Sequence, residues 1–317
     1  MNPFQNILQY QKAVVIDGAF GTELERKGFN INDTLWSAKF LMENPLAIAE
    51  VHRDYLLAGA DCITTASYQA SFEGFIKKGL TEKEAYALIQ SAITIAQDTR
   101  DTFWEEIRHD THRQKPLVAA SIGPYGAFLA DGSEFRGDYD LSEEALIAFH
   151  RKRMACIVET APDILACETI PCLDEAKALC RLLKEFPQMH AWVSFSAKDG
   201  EHINSGERIA ECAMWLDSQE QVIAIGINCT APQHIPSLIE QIKAVSSKPI
   251  IVYPNGGASY DALSKTWSGT STASSYRQMG LAWYKKGANV IGGCCQTTPE
   301  DIQEIAKWVR PEIKGVV

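Results

Sequence analysis

Three features that would place a chain in a specialised class are missing from this sequence of 317 residues. No apolar run approaches the roughly 20 residues that a membrane-spanning helix needs. The N-terminal segment MNPFQNILQYQK has no basic stretch followed by an apolar one, so no secretory signal is visible. There is also no internal repeat and no low-complexity linker. We therefore expect one domain that spans residues 1–317.

Positive charge is scarce as well, because 30 Lys and Arg residues face 40 Asp and Glu residues, which gives a net charge of −10 at pH 7. This balance argues against nucleic acid and anionic membranes as partners. The nine cysteines are odd in number and scattered along the chain. Such usage is typical of a reducing compartment, where thiols stay free for metal binding or catalysis. We expect a cytoplasmic protein whose partners are small molecules.

Short apolar, β-branched runs alternate with longer segments of helical spacing from end to end. There are eight such runs: Ala13–Ile16, Cys62–Thr65, Leu117–Ile122, Ile164–Glu168, Ala191–Ser196, Val222–Asn228, Pro249–Tyr253 and Ala288–Gly293. Near-continuous apolar strands between helices predict a parallel sheet that is covered on its faces. Eight units over this length fit a single TIM-type (β/α)8 barrel better than an open doubly wound sheet, although the strand count alone does not show closure.

The segments between these runs contain predicted helix starts and two long loops. Asn44, Thr81 (with Glu84 in capping-box spacing) and Ser142 are predicted N-caps. Two loops are unusually long, from Tyr125 to Leu141 and from Asn255 to Ser275. Substrate is usually handled by long loops at the carboxyl ends of strands, which makes residues 255–275 a candidate lid.

Polar residues are concentrated where the predicted strands end. They are Asp17, Ser67–Tyr68, Pro124–Tyr125, Glu168–Thr169, Asn228–Cys229, Asn255–Gly257 and Cys294–Cys295. In a barrel these points converge on one mouth, although they are far apart in sequence. We therefore predict an active site at the C-terminal ends of the strands.

The adjacent cysteines Cys294 and Cys295 follow two glycines at the end of the eighth run. Neighbouring side chains on an extended strand point in opposite directions, so both can face one ion only if the backbone bends, and Gly292 and Gly293 would supply that freedom. Together with Cys229, three thiolates could bind Zn²⁺ and leave the fourth tetrahedral position open, as in a catalytic site. The pair could also be two buried core thiols or a strained vicinal disulfide.

Three segments resemble the homocysteine S-methyltransferase family: Gly226-Ile-Asn-Cys229, Gly292-Gly-Cys-Cys295 and the opening Asp17-Gly-Ala-Phe-Gly-Thr-Glu23. The resemblance covers essentially the whole chain in the same order, and three separated motifs in register are specific. It implies a (β/α)8 barrel in which Cys229, Cys294 and Cys295 hold one Zn²⁺ per chain that binds the homocysteine thiol. The chain is too short to carry a cobalamin module as well.

The resemblance also implies that Asp17 and Glu168 contact the amino group of homocysteine. From the residues alone, Asp17 could instead be part of a turn-forming Asp-Gly pair. The backbone N–H groups of Gly18 and Ala19 could receive the substrate carboxylate, as amides in a turn often do. A charged strand end such as Glu168 could face solvent, but a buried strand end should avoid an unpaired carboxylate.

Three further residues are candidates for substrate binding. The rings of Tyr68 and Tyr125 could hold a sulfonium or quaternary ammonium by cation–π attraction, or could simply pack at the barrel rim. Asn228 could support the metal-side loop by hydrogen bonds, or offer an oxygen to zinc when substrate is absent.

A mechanism follows from the metal. Zinc deprotonates a coordinated thiol, and the thiolate is the nucleophile. We predict methyl transfer from S-methylmethionine or S-adenosylmethionine to L-homocysteine, giving L-methionine, because the opening motif resembles the branch of the family that uses sulfonium donors. Betaine is the alternative donor. A non-catalytic zinc–thiolate protein that binds thiols is the alternative from a different class.

Overall fold

A computed structural model describes residues 2–31, 33, 35–109, 113–257, 259–261, 266–268 and 273–310. Within these ranges the strands are β1 (Val14–Val15), β2 (Cys62–Thr64), β3 (Leu117–Ile122), β4 (Ile164–Ile170), β5 (Ala191–Phe195), β6 (Val222–Asn228), β7 (Ile250–Tyr253), β8 (Ser259–Asp261), β9 (Thr266–Ser268) and β10 (Ala288–Ile291). The helices are α1 (Pro3–Leu8), α2 (Phe20–Arg26), α3 (Phe40–Glu43), α4 (Pro45–Ala58), α5 (Phe72–Lys77), α6 (Glu82–Ile107), α7 (Tyr125–Leu129), α8 (Glu143–Val158), α9 (Leu173–Leu183), α10 (Ile209–Asp217), α11 (Ile235–Val245), α12 (Ala273–Lys286) and α13 (Pro299–Val309). Short 3₁₀ turns lie at Trp36–Lys39, Ser133–Phe135 and Pro232–His234.

Eight of the strands form one parallel sheet in the order β1-β10-β7-β6-β5-β4-β3-β2. A parallel bridge between Ile16 and Cys62 joins its two edges, and the Asp17 amide donates to the Cys62 carbonyl at 3.1 Å. These contacts close the sheet, so the prediction of a (β/α)8 barrel is confirmed. Each of the eight predicted runs overlaps one of these strands, and β4 extends two residues beyond its run, to Ile170.

The inside of the barrel is filled from its amino-terminal end by α1. Phe4 is fully buried, and its ring stacks on Trp192 of β5 with a centroid distance of 5.9 Å. The Asn2 side chain caps α1 and also donates to the Ile223 carbonyl of β6 at 3.3 Å. A helix of six residues is too short to give a periodic pattern, and for this reason α1 was not predicted.

The outer core lies between the strands and the ring of helices, where the apolar face of each long helix is buried. The three predicted N-caps are confirmed. The Asn44 and Ser142 side chains accept from the amides of Ala47 and Ala145. Thr81 and Glu84 form a complete capping box at the start of α6.

Two loop predictions need revision. The segment predicted as a loop from Tyr125 to Leu141 begins with α7 and continues into the 3₁₀ turn Ser133–Phe135. Between residues 255 and 275, β8 and β9 form an antiparallel pair. Residues 258, 262–265 and 269–272 lie outside the described residues, and the candidate lid therefore stays a prediction. The domain extent of 1–317 likewise stays a prediction, because residues 311–317 are not described.

None of the helices in the described ranges combines the length and the apolar character that crossing a bilayer requires.

Candidate metal centre and substrate pocket

Three thiols from two barrel strands come together at the mouth. The Sγ atoms of Cys229, Cys294 and Cys295 all lie within 4.8 Å of one another, and those of Cys229 and Cys295 are 3.7 Å apart. All three side chains are partly exposed, whereas the other six cysteines are buried. The three thiols thus form a group that could hold a metal ion and remain open to a ligand.

The backbone at the ends of β6 and β10 sets this geometry. Cys229 has a left-handed φ of 48°, and its amide donates to the Tyr253 carbonyl at 3.3 Å. The Cys294 amide donates to the Pro254 carbonyl, and the Cys295 carbonyl accepts from the Gly256 amide, both at 2.8 Å. Both cysteines of the pair are therefore anchored to the loop that follows β7, which fixes their side chains relative to Cys229.

Gly292 and Gly293 serve a different purpose from the one predicted. Neither glycine has a positive φ; the left-handed residue is Gln296, with a φ of 67°. A Cβ on Gly292 would lie 2.7 Å from the Asp17 carbonyl oxygen, and one on Gly293 would lie 2.6 Å from the Thr297 side chain. These positions need glycine because other backbone and side-chain atoms pack against them, so the prediction of backbone freedom was wrong.

Negative charge is favoured at one of the three thiols, that of Cys295. Hydrogen bonds from the thiols of Cys229 and Cys294 hold the pKa of Cys295 well below its ordinary value. A thiolate is the form that binds metal, and these hydrogen bonds favour that form at Cys295.

Glu168, at the end of β4, is the first of two buried carboxyl groups beside the thiols. Its side chain is only 8% exposed, and it accepts hydrogen bonds from the Ser121 hydroxyl and, at 2.9 Å, from the Tyr253 hydroxyl. Burial raises the pKa of Glu168 to about 7, with the Cys294 thiol contributing in the same direction. The solvent-facing alternative for this residue is therefore wrong.

Asp17 is the second buried carboxyl group. It accepts from the Thr64 amide at 2.7 Å and from the Thr64 hydroxyl at 3.1 Å. Burial raises the pKa of Asp17 well above its ordinary value, and the negative charge of Glu168 adds to the shift. The two carboxyl groups therefore lie close enough for their negative charges to repel each other.

The turn after Asp17 offers one free backbone donor rather than two. The Ala19 amide donates to the Thr297 hydroxyl at 3.0 Å, and that hydroxyl donates to the Cys294 carbonyl at 2.6 Å. The Ala19 N–H is therefore already used, contrary to its predicted role in receiving a carboxylate. The Gly18 N–H has no hydrogen-bond partner in the described part of the chain, and its role stays a prediction.

Asn228 joins the end of β6 to the end of β4. Its Oδ1 accepts from the Thr169 amide at 2.7 Å and from the Ser194 hydroxyl at 2.9 Å. Its Nδ2 donates to the Thr169 hydroxyl at 2.7 Å. Thr169 has a positive φ of 57°, which is unusual for a β-branched residue. These contacts favour the predicted supporting role for Asn228 over that of a metal ligand, because both atoms of the amide are engaged.

The two candidate tyrosines differ in their surroundings. Burial raises the pKa of Tyr68, and the Glu134 carboxylate and the Cys229 thiol raise it further. The Tyr68 ring packs against Gly123, which directly follows β3, because a Cβ there would lie 2.7 Å from the ring. The Tyr125 ring instead packs edge-on against Phe149, with a centroid distance of 4.9 Å, and against Tyr139. None of these ring contacts supports a role for Tyr125 in substrate binding, and packing accounts for it.

Comparison with known proteins identifies the chain. The family model described as homocysteine S-methyltransferase matches residues 14–309. The chain belongs to the homocysteine S-methyltransferase family. It is 60% identical over 310 residues to homocysteine S-methyltransferase YbgG of Bacillus subtilis, covering 98% of each chain. It is 44% identical over 302 residues to homocysteine S-methyltransferase of Escherichia coli, covering 95% of this chain and 96% of the relative.

A solved structure of the same family supports the fold. The metallated form of the homocysteine methyltransferase MmuM from Escherichia coli matches with a TM-score of 0.87 and 42% identity, over 96% of this chain and 99% of that one. These comparisons confirm that the chain is a methyltransferase of the homocysteine S-methyltransferase class.

The residues that support the site in this homocysteine S-methyltransferase were largely missed from sequence. They share one property, which is that each hydrogen-bonds a site residue from a neighbouring strand or loop: Thr64, Ser121, Thr169, Ser194, Tyr253 and Thr297. Their location at or near strand ends was the only available signal. Which of them meet depends on strand register, which the sequence does not state.

Proposed function

We propose that the chain transfers a methyl group to the sulfur of L-homocysteine, giving L-methionine, at a Zn²⁺ site formed by Cys229, Cys294 and Cys295. The observation that carries this proposal is the group of three thiols within 4.8 Å of one another. Beside it lie two buried carboxyl groups, those of Asp17 and Glu168.

The donor set fits zinc. Zinc takes thiolate ligands in tetrahedral geometry at about 2.3 Å, and the edge of such a tetrahedron is about 1.63 bond lengths, or about 3.8 Å. The Cys229–Cys295 sulfur separation of 3.7 Å agrees with that edge. Three protein ligands leave a fourth position for substrate. When bound there, Zn²⁺ would keep the homocysteine sulfur in its thiolate form at neutral pH.

The chain's own residues orient the substrate. Carboxylates at Asp17 and Glu168 would bind the homocysteine ammonium, and burial makes such charge-assisted hydrogen bonds stronger than they are in water. The free N–H of Gly18 would receive the substrate carboxylate. Holding both ends of the amino acid fixes the direction of its sulfur, and such orientation supplies much of the rate of a two-substrate reaction.

The methyl donor would be a sulfonium, with S-methylmethionine favoured over S-adenosylmethionine. With Zn²⁺ bound, the three thiolates leave the metal centre with one net negative charge, and the carboxylates beside it add to that charge, which attracts a cation. A sulfonium leaves as a neutral thioether, so the reaction needs no general acid. Betaine also carries a positive charge, on its quaternary ammonium, and remains the alternative donor. The nine free thiols support the proposed cytoplasmic location, because a reducing compartment preserves them.

Calorimetric titration of the zinc-loaded protein with L-homocysteine, followed by a donor panel, tests the proposal. We expect stoichiometric thiol binding and methionine formation that is fastest with S-methylmethionine. Thiol binding without turnover of S-methylmethionine, S-adenosylmethionine or betaine would establish the non-catalytic alternative instead.

A further inference from the structure

Glu134 carries a carboxylate at the barrel mouth, and this carboxylate has no role in the reaction proposed above. It lies on the 3₁₀ turn Ser133–Phe135. The turn is held firmly, because a Cβ on Gly126 would lie 2.8 Å from the Glu134 Cα. The Ser196 hydroxyl also donates to the Glu134 carbonyl at 3.5 Å. These contacts with α7 and with Ser196, directly after β5, therefore fix the position of the Glu134 Cα.

The Glu134 side chain has a buried, unpartnered oxygen. Its Oε2 is inaccessible to solvent and has no hydrogen-bond partner. Arg136, the cation on the same turn, lies 3.2 Å from Asp138 and 3.8 Å from Asp131 instead. Leaving a carboxylate oxygen buried without a partner is costly. A cation bound beside this oxygen would offset that cost.

Glu134 and Tyr68 both lie at the barrel mouth. The Ser196 hydroxyl, directly after β5, donates to the Glu134 carbonyl, and a Cβ on Gly123, directly after β3, would lie 2.7 Å from the Tyr68 ring. Burial and then the negative charge of Glu134 raise the pKa of Tyr68, which agrees with this placement. A second buried carboxyl group, that of Glu168, is held near the end of β4 by Ser121 and Tyr253. That group would be occupied by the amino group of homocysteine, which leaves Glu134 for the second substrate.

We propose that Glu134 and the Tyr68 ring form the binding site for the positive charge of the methyl donor, and so make the enzyme selective for cationic donors. This inference rests on the proposed function. The buried carboxylate supplies the counter-charge, and a tyrosine face adds cation–π attraction.

The charge balance of the reaction gives Glu134 a further effect. The homocysteine thiolate forms a bond to the methyl carbon while the bond from that carbon to the donor's onium atom breaks, and the electron pair stays with the departing group. One negative and one positive charge disappear, and both products are neutral at the reacting atoms. The attraction to Glu134 is therefore present for the donor and absent for the departing product, which favours exchange of product for donor.

Steady-state kinetics of the zinc-loaded Glu134→Gln enzyme with S-methylmethionine test this site. The variant keeps the size of the side chain and removes its charge. We expect the KM for S-methylmethionine to rise about 10- to 100-fold, the lower part of the range for losing one member of a close charge pair, while the KM for homocysteine and the zinc content stay unchanged. Asp138→Asn removes the same charge from an exposed position nearby and should leave both KM values unchanged. An unaltered donor KM in Glu134→Gln would overturn the proposal.

Calorimetry with S-methylmethionine in the absence of homocysteine separates this inference from the proposed function, because it does not depend on turnover. If the wild-type protein binds the sulfonium, Glu134→Gln does not, and no methionine forms, then the cation site stands and the methyl-transfer proposal fails. If methionine forms normally and both proteins bind the sulfonium equally, the methyl-transfer proposal stands and the cation site fails.

Discussion

Replacement of Glu168 by glutamine should weaken homocysteine binding while zinc stays in place. The substituted amide has nearly the same shape. Its oxygen can still accept from the Tyr253 hydroxyl, and its NH2 group can donate to the Ser121 hydroxyl oxygen, where the wild-type carboxylate accepts from both. The substitution therefore removes the charge that faces the substrate ammonium. Glu168 contacts none of the three cysteines through a hydrogen bond in the described residues, so we expect one zinc per chain in the variant.

The size of the effect follows from burial. A hydrogen bond to a charged group contributes about 1.5–3 kcal/mol, and each 1.4 kcal/mol changes an equilibrium tenfold, so the KM for homocysteine should rise about 10- to 100-fold. Solvent screening does not reduce this value much, because Glu168 is only 8% exposed. Asp17 keeps part of the interaction with the ammonium, which limits the loss.

The pH dependence of the same KM provides a second signature. Burial raises the pKa of Glu168 to about 7, so below this pH the free enzyme carries a neutral acid at this position. The wild-type KM for homocysteine should therefore rise as the pH falls through about 7. Glutamine cannot titrate, and this step should be absent from the profile of the variant.

The assay is methionine formation at saturating S-methylmethionine with varied homocysteine, from pH 5.5 to 8.5 (a range of about 1.5 units on each side of the pKa). Zinc content is measured in parallel. Glu185→Gln, on an exposed carboxylate that pairs with Arg151, is the matched control and should behave as wild type. An unchanged KM in Glu168→Gln, or an identical pH step in both proteins, would refute the assignment of the ammonium to Glu168.

Three other substitutions test separate parts of the structure. Cys295→Ala should strip stoichiometric zinc and abolish turnover, whereas Cys180→Ala, at a buried thiol outside the metal group, should keep both; full zinc content in Cys295→Ala would contradict the ligand assignment. Asn228→Ala leaves the buried Thr169 amide without its acceptor and should lower the free energy of unfolding by about 2–4 kcal/mol and reduce kcat; unchanged urea unfolding would show that this amide finds another partner. Phe4→Ala should cost about 3–5 kcal/mol of stability without changing either KM, because α1 lies at the end of the barrel away from the mouth; altered substrate KM values would refute that separation.

The sequence predicted the strands and the metal group well because both depend on local pattern and motif. Continuous apolar runs that alternate with helical spacing define a (β/α)8 barrel, and Cys229 and the Cys294–Cys295 pair fall at strand ends, which must converge. The helices that lie close to these ends, such as α2, were missed because they are too short to show a period.

The sequence could not predict contacts that depend on register across strands. Asn228 contacts Thr169 because β4 and β6 both pair with β5. The sequence of neither segment indicates that the two residues are in contact. Ala19 illustrates the same limit, since its amide is engaged by Thr297, which lies 278 residues away. The role of Gly292 was misjudged for the same reason, because the atoms that crowd it belong to Ile16 and Asp17, which follow β1.

Zinc-dependent methylation of homocysteine is tested most directly with homocysteine that is deuterated on its carbon chain. The deuterium separates methionine formed from the acceptor from methionine released by S-methylmethionine. With unlabelled S-methylmethionine, mass spectrometry should detect deuterated methionine from the zinc-loaded enzyme, none after the metal is chelated, and restored formation when zinc is returned. Deuterated methionine formed at the same rate by the metal-free protein, or none formed by the zinc-loaded protein, would contradict the account.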